Sequence, residues 1–176
     1  IQEGTVVTTM TRNGKDFGIR IAGMGDEWFT APVNMPRGLY FTGYTEDDAN
    51  PDIGDSAITE TVGVGAMVTV AAPAVTRFVG SGGGYDDALK ISEEMNRICL
   101  SNNPNWSIPN WNFKGACLGI DAAKVVATGI TPLINTGIAH KKAGVGQVGA
   151  GTASAPLACF EKAILAYAKK LGIETE

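Results

Sequence analysis

A chain of 176 residues fits one domain and can bury a core without covalent staples. With 44% hydrophobic residues and a formal charge of −4 it reads as a soluble globular protein. No basic run exceeds a Lys-Lys pair, which argues against a nucleic-acid surface, and no apolar run reaches the ~20 residues of a membrane helix.

Thr5 to Met10 and Asp16 to Ala22 are rich in alternating and β-branched residues, and Asn13-Gly14 between them suits a tight turn. This predicts an amino-terminal β-hairpin. Gly23 to Pro51 follows as a long loop of Gly, Pro, Asn and aromatics, with Arg37 to Thr42 as one short strand inside it. Asp55-Ser56 are then expected to cap a helix with Thr59 and Glu60 in its first turn. Its apolar character all round predicts a buried position, and Pro73 marks a kink or the start of a second helix.

Tyr85 to Leu100 reads as an amphipathic surface helix, with Ala88, Ile91, Met95 and Ile98 on one face. Ser101 to Gly115 reads as a loop anchored by Trp106 and Trp111. Asp121 to Thr128 is a short helix capped by Asp121 and closed by Gly129, and Ile130 to Ile138 is a buried strand. The last helix spans Pro156 to Leu171, with Leu157, Phe160, Ile164, Tyr167 and Leu171 as its apolar stripe. Together these elements predict an α/β or α+β layered domain over 1–176, with an amino-terminal hairpin, central buried helices and a carboxy-terminal amphipathic helix. Cys99, Cys117 and Cys159 are odd in number and widely spaced, so reduced, buried thiols in a cytoplasmic protein are the expectation. The chain opens on Ile1 rather than Met, which raises the expectation of a carboxy-terminal piece of something longer.

Two segments concentrate candidate chemistry. The first is "NTGIAHKKAGVGQVGAG", Asn135 to Gly151. Successive glycines allow backbone N–H groups to form an anion nest, here at Gly144, Gly146 and Gly149. The string matches a dinucleotide fingerprint, but no helix follows Gly151 directly, so that reading is rejected. The alternative is a structural loop or a glycine-rich strand packed on a neighbour. His140 beside such a nest suits acid, base or oxyanion work. Lys141 supplies charge, and Asn135, Thr136 and Gln147 are types that orient amides and carboxylates.

The second segment is "DIGDSAITETVG", Asp52 to Gly63, where a helix start with Asp55, Ser56 and Thr59 offers free N–H groups to an anion. Ser56 and Glu60 join His140 as candidate catalytic groups. Asp52, Asp55 and Glu60 raise Mg²⁺ as an alternative, although no cofactor or metal is the primary expectation. Arg20 and Arg37 are candidates for a substrate carboxylate or for surface ion pairs.

Four stretches, "DFGIRIAGMGDEWFTAP", "GLYFTGYTEDDANPDIGDSAITETVG", "APAVTRFVG" and "TPLINTGIAHKKAGVGQVGAG", together resemble the YlbE-like family, a domain-of-unknown-function family. They span Asp16 to Gly151. The resemblance implies an AllG-type subunit of oxamate carbamoyltransferase, acting in allantoin and purine catabolism beside an FdrA-like partner subunit. The reaction it implies converts oxalurate and phosphate to oxamate and carbamoyl phosphate. Its small anionic substrates suit neutral, donor-rich glycine segments, and a tetrahedral carbamoyl intermediate suits fixed N–H donors. The expectation is that the 135–151 loop and the 55–61 helix start converge on one pocket, completed by the rest of a longer chain and by homo- or hetero-oligomeric partners. The rival expectation is a non-catalytic ligand-binding or assembly domain.

Overall fold

Asn13-Gly14 closes the predicted hairpin between β1 (Val7–Arg12) and β2 (Asp16–Ile21). Gly14 takes φ +93°, and Asn13 Oδ1 accepts the N–H groups of Lys15 at 3.0 Å and Asp16 at 2.7 Å. The structure is a computed structural model that describes residues 2–80 and 83–173; Ile1 lies outside them.

The long 23–51 loop contains more order than its composition implies. β3 (Phe29–Pro32) pairs antiparallel with β2 and completes a three-stranded sheet, burying Phe29 and Ala31. β4 (Arg37–Tyr40) falls where a short strand is predicted, but it joins a second sheet ordered β4-β8-β7. Here β7 is Leu133–Ala139 and β8 is Gln147–Ser154. The glycine-rich stretch is therefore mainly a strand, and the packed-strand alternative holds for Gly149 and Gly151. A Cβ on Gly151 would lie 2.3 Å from the Arg37 carbonyl oxygen, and one on Gly149 2.4 Å from that of Leu39. Gly144 and Gly146, at φ +86° and +92°, form the turn instead.

After β4 come a 3₁₀ turn (Glu46–Asp48), α1 (Ile58–Val62), a longer 3₁₀ segment (Gly65–Ala71), α2 (Pro73–Phe78) and α3 (Tyr85–Asn96). Ala66 to Val70 are buried, as expected of the central helices, and Pro73 starts α2. The expected cap by Asp55 and Ser56 is not formed. α1 begins at Ile58 with Ala57 at its cap position, because 55–57 is drawn out against β1. Arg12 N–H donates to Asp55 O at 3.0 Å, Ala57 N–H donates to Met10 O at 3.2 Å, and Ser56 bridges Thr11.

α3 stops at Asn96, short of Leu100, because Cys99 already belongs to β5 (Cys99–Ile108). With β6 (Lys114–Ile120) it forms a two-stranded hairpin where the sequence predicts a loop. Its Asn, Pro and Trp content hides the strands, whose pairing shifts register between Asn102 and Ser107. The hairpin also corrects the expectation for the thiols. Cys99 and Cys117 are disulfide-bonded with Cα atoms 5.7 Å apart, although 18 positions separate them in sequence. Cys159 alone is free; burial pushes its thiol up to about 11.

α4 (Ala122–Thr128) is capped as expected, Asp121 Oδ1 accepting the Ala123 N–H at 3.0 Å, and Gly129 ends it at φ +68°. α5 (Leu157–Lys170) lays Phe160 and Ala163 into the main core with Phe17, Ile19, Met95 and Ile120. Each large side chain so buried contributes about 1.5–3 kcal/mol. The result is a mixed α and β fold whose strand ladders are antiparallel. Among the described residues no helix is long and apolar enough to cross a membrane.

Gly151→Val forces a side chain into the β4 backbone. The expected loss is about 1–3 kcal/mol, read as a lower urea midpoint. An unchanged midpoint would mean that β4 and β8 do not approach as closely as described.

Candidate functional site

The residues of interest fall into two groups along β7. At its middle, the strand brings Asn135 and Thr136 against the first hairpin and α1. Arg12, at the end of β1, donates from Nη1 to Asp52 Oδ1 at 2.8 Å and to Thr136 Oγ1 at 3.0 Å. Both charged side chains are 2% exposed. Asp52 Oδ2 accepts the N–H groups of Gly14 and Gly54, each at 2.8 Å. The carboxylate thus ties the Asn13-Gly14 turn, its own loop and the cation together.

Glu60 is buried beside this pair. Its Oε1 accepts the Ala66 and Asn135 N–H groups, both at 3.2 Å. Gly65 makes the approach possible, since a Cβ there would lie 2.5 Å from Glu60 Oε1. Burial raises the Glu60 carboxyl above its ordinary range, against the opposing pull of these N–H groups and of Arg12. Arg12 Nε and Asn135 Oδ1 are both buried without a hydrogen-bond partner. Sequence reasoning found Glu60, Asn135 and Thr136 but missed Arg12. Its neighbours Thr11 and Asn13 carry no signal, and its partner lies 40 positions away.

At the far end of β7, His140 opens the turn. Its N–H donates to Gly146 O at 2.9 Å, and its Nδ1 accepts the Lys142 N–H at 2.8 Å. The neutral ring therefore carries its proton on Nε2, which faces Asp48 Oδ1 at 3.7 Å. Tyr44 meets the imidazole edge-on with ring centroids 5.8 Å apart. Lys141 is exposed; its N–H donates to Asp48 O at 2.7 Å and its Nζ to Asp47 O. The Asp48 carboxyl lies below its ordinary range, held there first by the Thr45 N–H, with His140 and Lys141 contributing.

Gly144, Gly146 and Gln147 are exposed in and beside this turn, and Gln147 Nε2 donates to Gly149 O at 2.8 Å. Gly149 is buried in the strand, away from any nest. Asp55, Ser56 and Thr59 are exposed near the start of α1. Thr136 and His140 are four positions apart, about 13 Å along the strand. One small substrate therefore does not bridge the two groups. Arg20 pairs with Asp26 at the surface. Among the described residues no three His, Cys, Asp or Glu side chains come together, and Asp52 is already saturated by Arg12, Gly14 and Gly54.

Arg12→Met leaves Asp52 buried without its cation, an expected loss of about 3–5 kcal/mol that Arg12→Met with Asp52→Asn, which removes the charge and keeps an acceptor for Gly14 and Gly54, largely restores. A double variant as unstable as the single one would contradict the pairing. Glu60 gives a pH signature. Burial places its folded-state value above the unfolded one, so its contribution is full below about pH 4.3 and is lost as pH rises through the folded value. Glu60→Gln retains an acceptor and removes the titration. Its thermal midpoint should gain on that of the native chain as pH rises from about 4 to 7. A constant difference would show that Glu60 does not titrate differently on folding.

Comparison with known proteins adds identity to this geometry. The family described as oxamate carbamoyltransferase subunit AllG matches residues 1–56. The chain is 62% identical over 173 residues to the oxamate carbamoyltransferase subunit AllG of Escherichia coli K12, covering 98% of this chain and 41% of that protein. It is 48% identical over 173 residues to the uncharacterized protein YahG of the same organism, covering 98% of this chain and 36% of the relative. A crystal structure of a conserved protein of unknown function from Enterococcus faecalis V583 superposes with a TM-score of 0.87 at 49% identity, over 94% of this chain and 39% of that one. The chain thus spans about two fifths of the length of these relatives.

Proposed function

We propose that this chain forms part of a longer AllG-type polypeptide and serves as a subunit of an oxamate carbamoyltransferase. The observation that carries the reading is the 62% identity to the AllG subunit along nearly the whole chain. The proposed reaction is attack of a phosphate oxygen on the carbamoyl carbon of oxalurate. The carbamoyl C–N bond then breaks, releasing carbamoyl phosphate and oxamate, whose nitrogen takes up a proton.

The turn at the end of β7 suits this chemistry better than the buried group at its middle. It offers an exposed lysine, an imidazole with a defined tautomer and glycine N–H groups free of helix or sheet. Lys141, Gly144 and Gly146 are assigned the anionic end of the substrate. His140 is assigned the proton delivered from Nε2 to the leaving nitrogen, the step at which general acid catalysis counts most. The group of Arg12, Asp52, Glu60, Asn135 and Thr136 is assigned the positioning of β7, and through it of His140. Asp55, Ser56 and Thr59 receive no role. Residues beyond this stretch, or a partner subunit of the FdrA-like kind, would complete the site.

In the assembled enzyme, His140→Ala should lower oxalurate phosphorolysis about 100-fold with the fold intact by circular dichroism. Lys141→Ala should raise KM for the anion with little change in kcat. An unaltered rate in His140→Ala would remove the imidazole from the mechanism.

A further inference from the structure

A second feature lies outside the β7 turn. A cavity of about 390 Å³ opens between the Gly65–Ala71 segment, the start of α2 and the β5-β6 hairpin. Val64, Val68, Val75, Trp106 and Ile108 form its apolar wall, with Asn135 at one end. No charged residue lines it among those described. The hydroxyls it touches are already engaged: Thr69 Oγ1 donates to Ala88 O at 3.1 Å, and Ser107 Oγ to Phe113 O at 3.0 Å.

The surroundings are equally uncovered. Of the ten residues of β5 only Cys99 and Ile108 are buried, and the sheet has two strands, a size that is marginal without a covering layer. Trp106 is 46% exposed. Val62 at 41% and Leu118 at 37% stand two positions from the lining residues Val64 and Ala116. The end of α1 is pressed on β6 beside them, since a Cβ on Gly63 would lie 2.4 Å from the Cys117 carbonyl oxygen.

A small anion is a poor occupant. Moving a carboxylate or phosphate into an apolar wall without a paired cation is strongly unfavourable. An apolar polypeptide segment fits, and its source follows from length: more than half of the AllG relative and of YahG lies outside the stretch matched here. We propose that this cavity and its rim seat an apolar segment from the remaining part of an AllG-type chain. The inference rests on the reading of this chain as part of a longer polypeptide.

The test uses the full-length protein carrying p-benzoylphenylalanine in place of Trp106, a half-exposed position that tolerates a larger ring, and in a second preparation in place of Val75. After irradiation, the dominant cross-linked peptide should join this position to a residue of the same polypeptide outside the 176-residue stretch. A cross-link confined to the stretch, one to another subunit, or none from either position would overturn the proposal. Oxalurate phosphorolysis is assayed on the unmodified protein in parallel. The intrachain cross-link in a protein without that activity supports the docking and sinks only the transferase reading.

Discussion

Arg12 and Asp52 are removed from water almost completely, and two charges so placed are tolerated only when the polar atoms around them are largely matched, as here for all but Arg12 Nε. Here the matching defines the local architecture. One carboxylate oxygen takes the guanidinium; the other takes the backbone of the Asn13-Gly14 turn and of Gly54. The same guanidinium reaches across to Thr136 in the second sheet. Three segments far apart in sequence, the first hairpin, the 50–56 strap and β7, are thereby held in one geometry. Glu60 adds a second carboxyl to a site with one cation. Its upward shift is the electrostatic consequence, because burial disfavours a charge for which Arg12 is already engaged.

β7 is therefore clamped at its middle and runs on to a turn presented to solvent. Along its length it pairs with β8, which in turn lies close to β4 because Gly38, Gly149 and Gly151 carry no Cβ between the backbones. The glycines of this region do two different jobs. Those in the strands permit close packing, whereas Gly144 and Gly146 supply the positive φ of the exposed turn. A functional turn mounted on a fixed strand is better defined than one on a free loop, since its position is set by the sheet beneath it.

Elements with a strong local signal were legible from sequence. Asn13-Gly14, Asp121 with Gly129, and the stripe of α5 each state their geometry within a few residues. What was not legible depends on distant partners. β3 becomes a strand because β2 offers it an edge, and β5-β6 pairs in spite of an Asn- and Pro-rich composition. Asp55-Ser56 looks like a cap, but the edge of β1 claims that backbone first. The Cys99–Cys117 bond is invisible until the hairpin is known. In the candidate site, local chemistry revealed His140 and the glycines, while the ion pair that holds their strand spans 40 positions and left no mark in spacing.

The two uncovered regions of the molecule differ in chemistry in a way that separates their roles. The β7 turn is exposed and carries Lys141 and glycine N–H groups beside His140, surroundings in which an anion keeps much of its solvation. The cavity beside β5 has an apolar wall and no charged residue in its lining. Desolvation penalises a small dianion in the second place and an apolar segment in the first. Asn135 links them, since its backbone N–H is bound to Glu60 in the clamp and the same residue lines the cavity. In the proposed reading, a segment seated there packs beside the strand that carries His140, so docking of the remaining chain would bear on that strand.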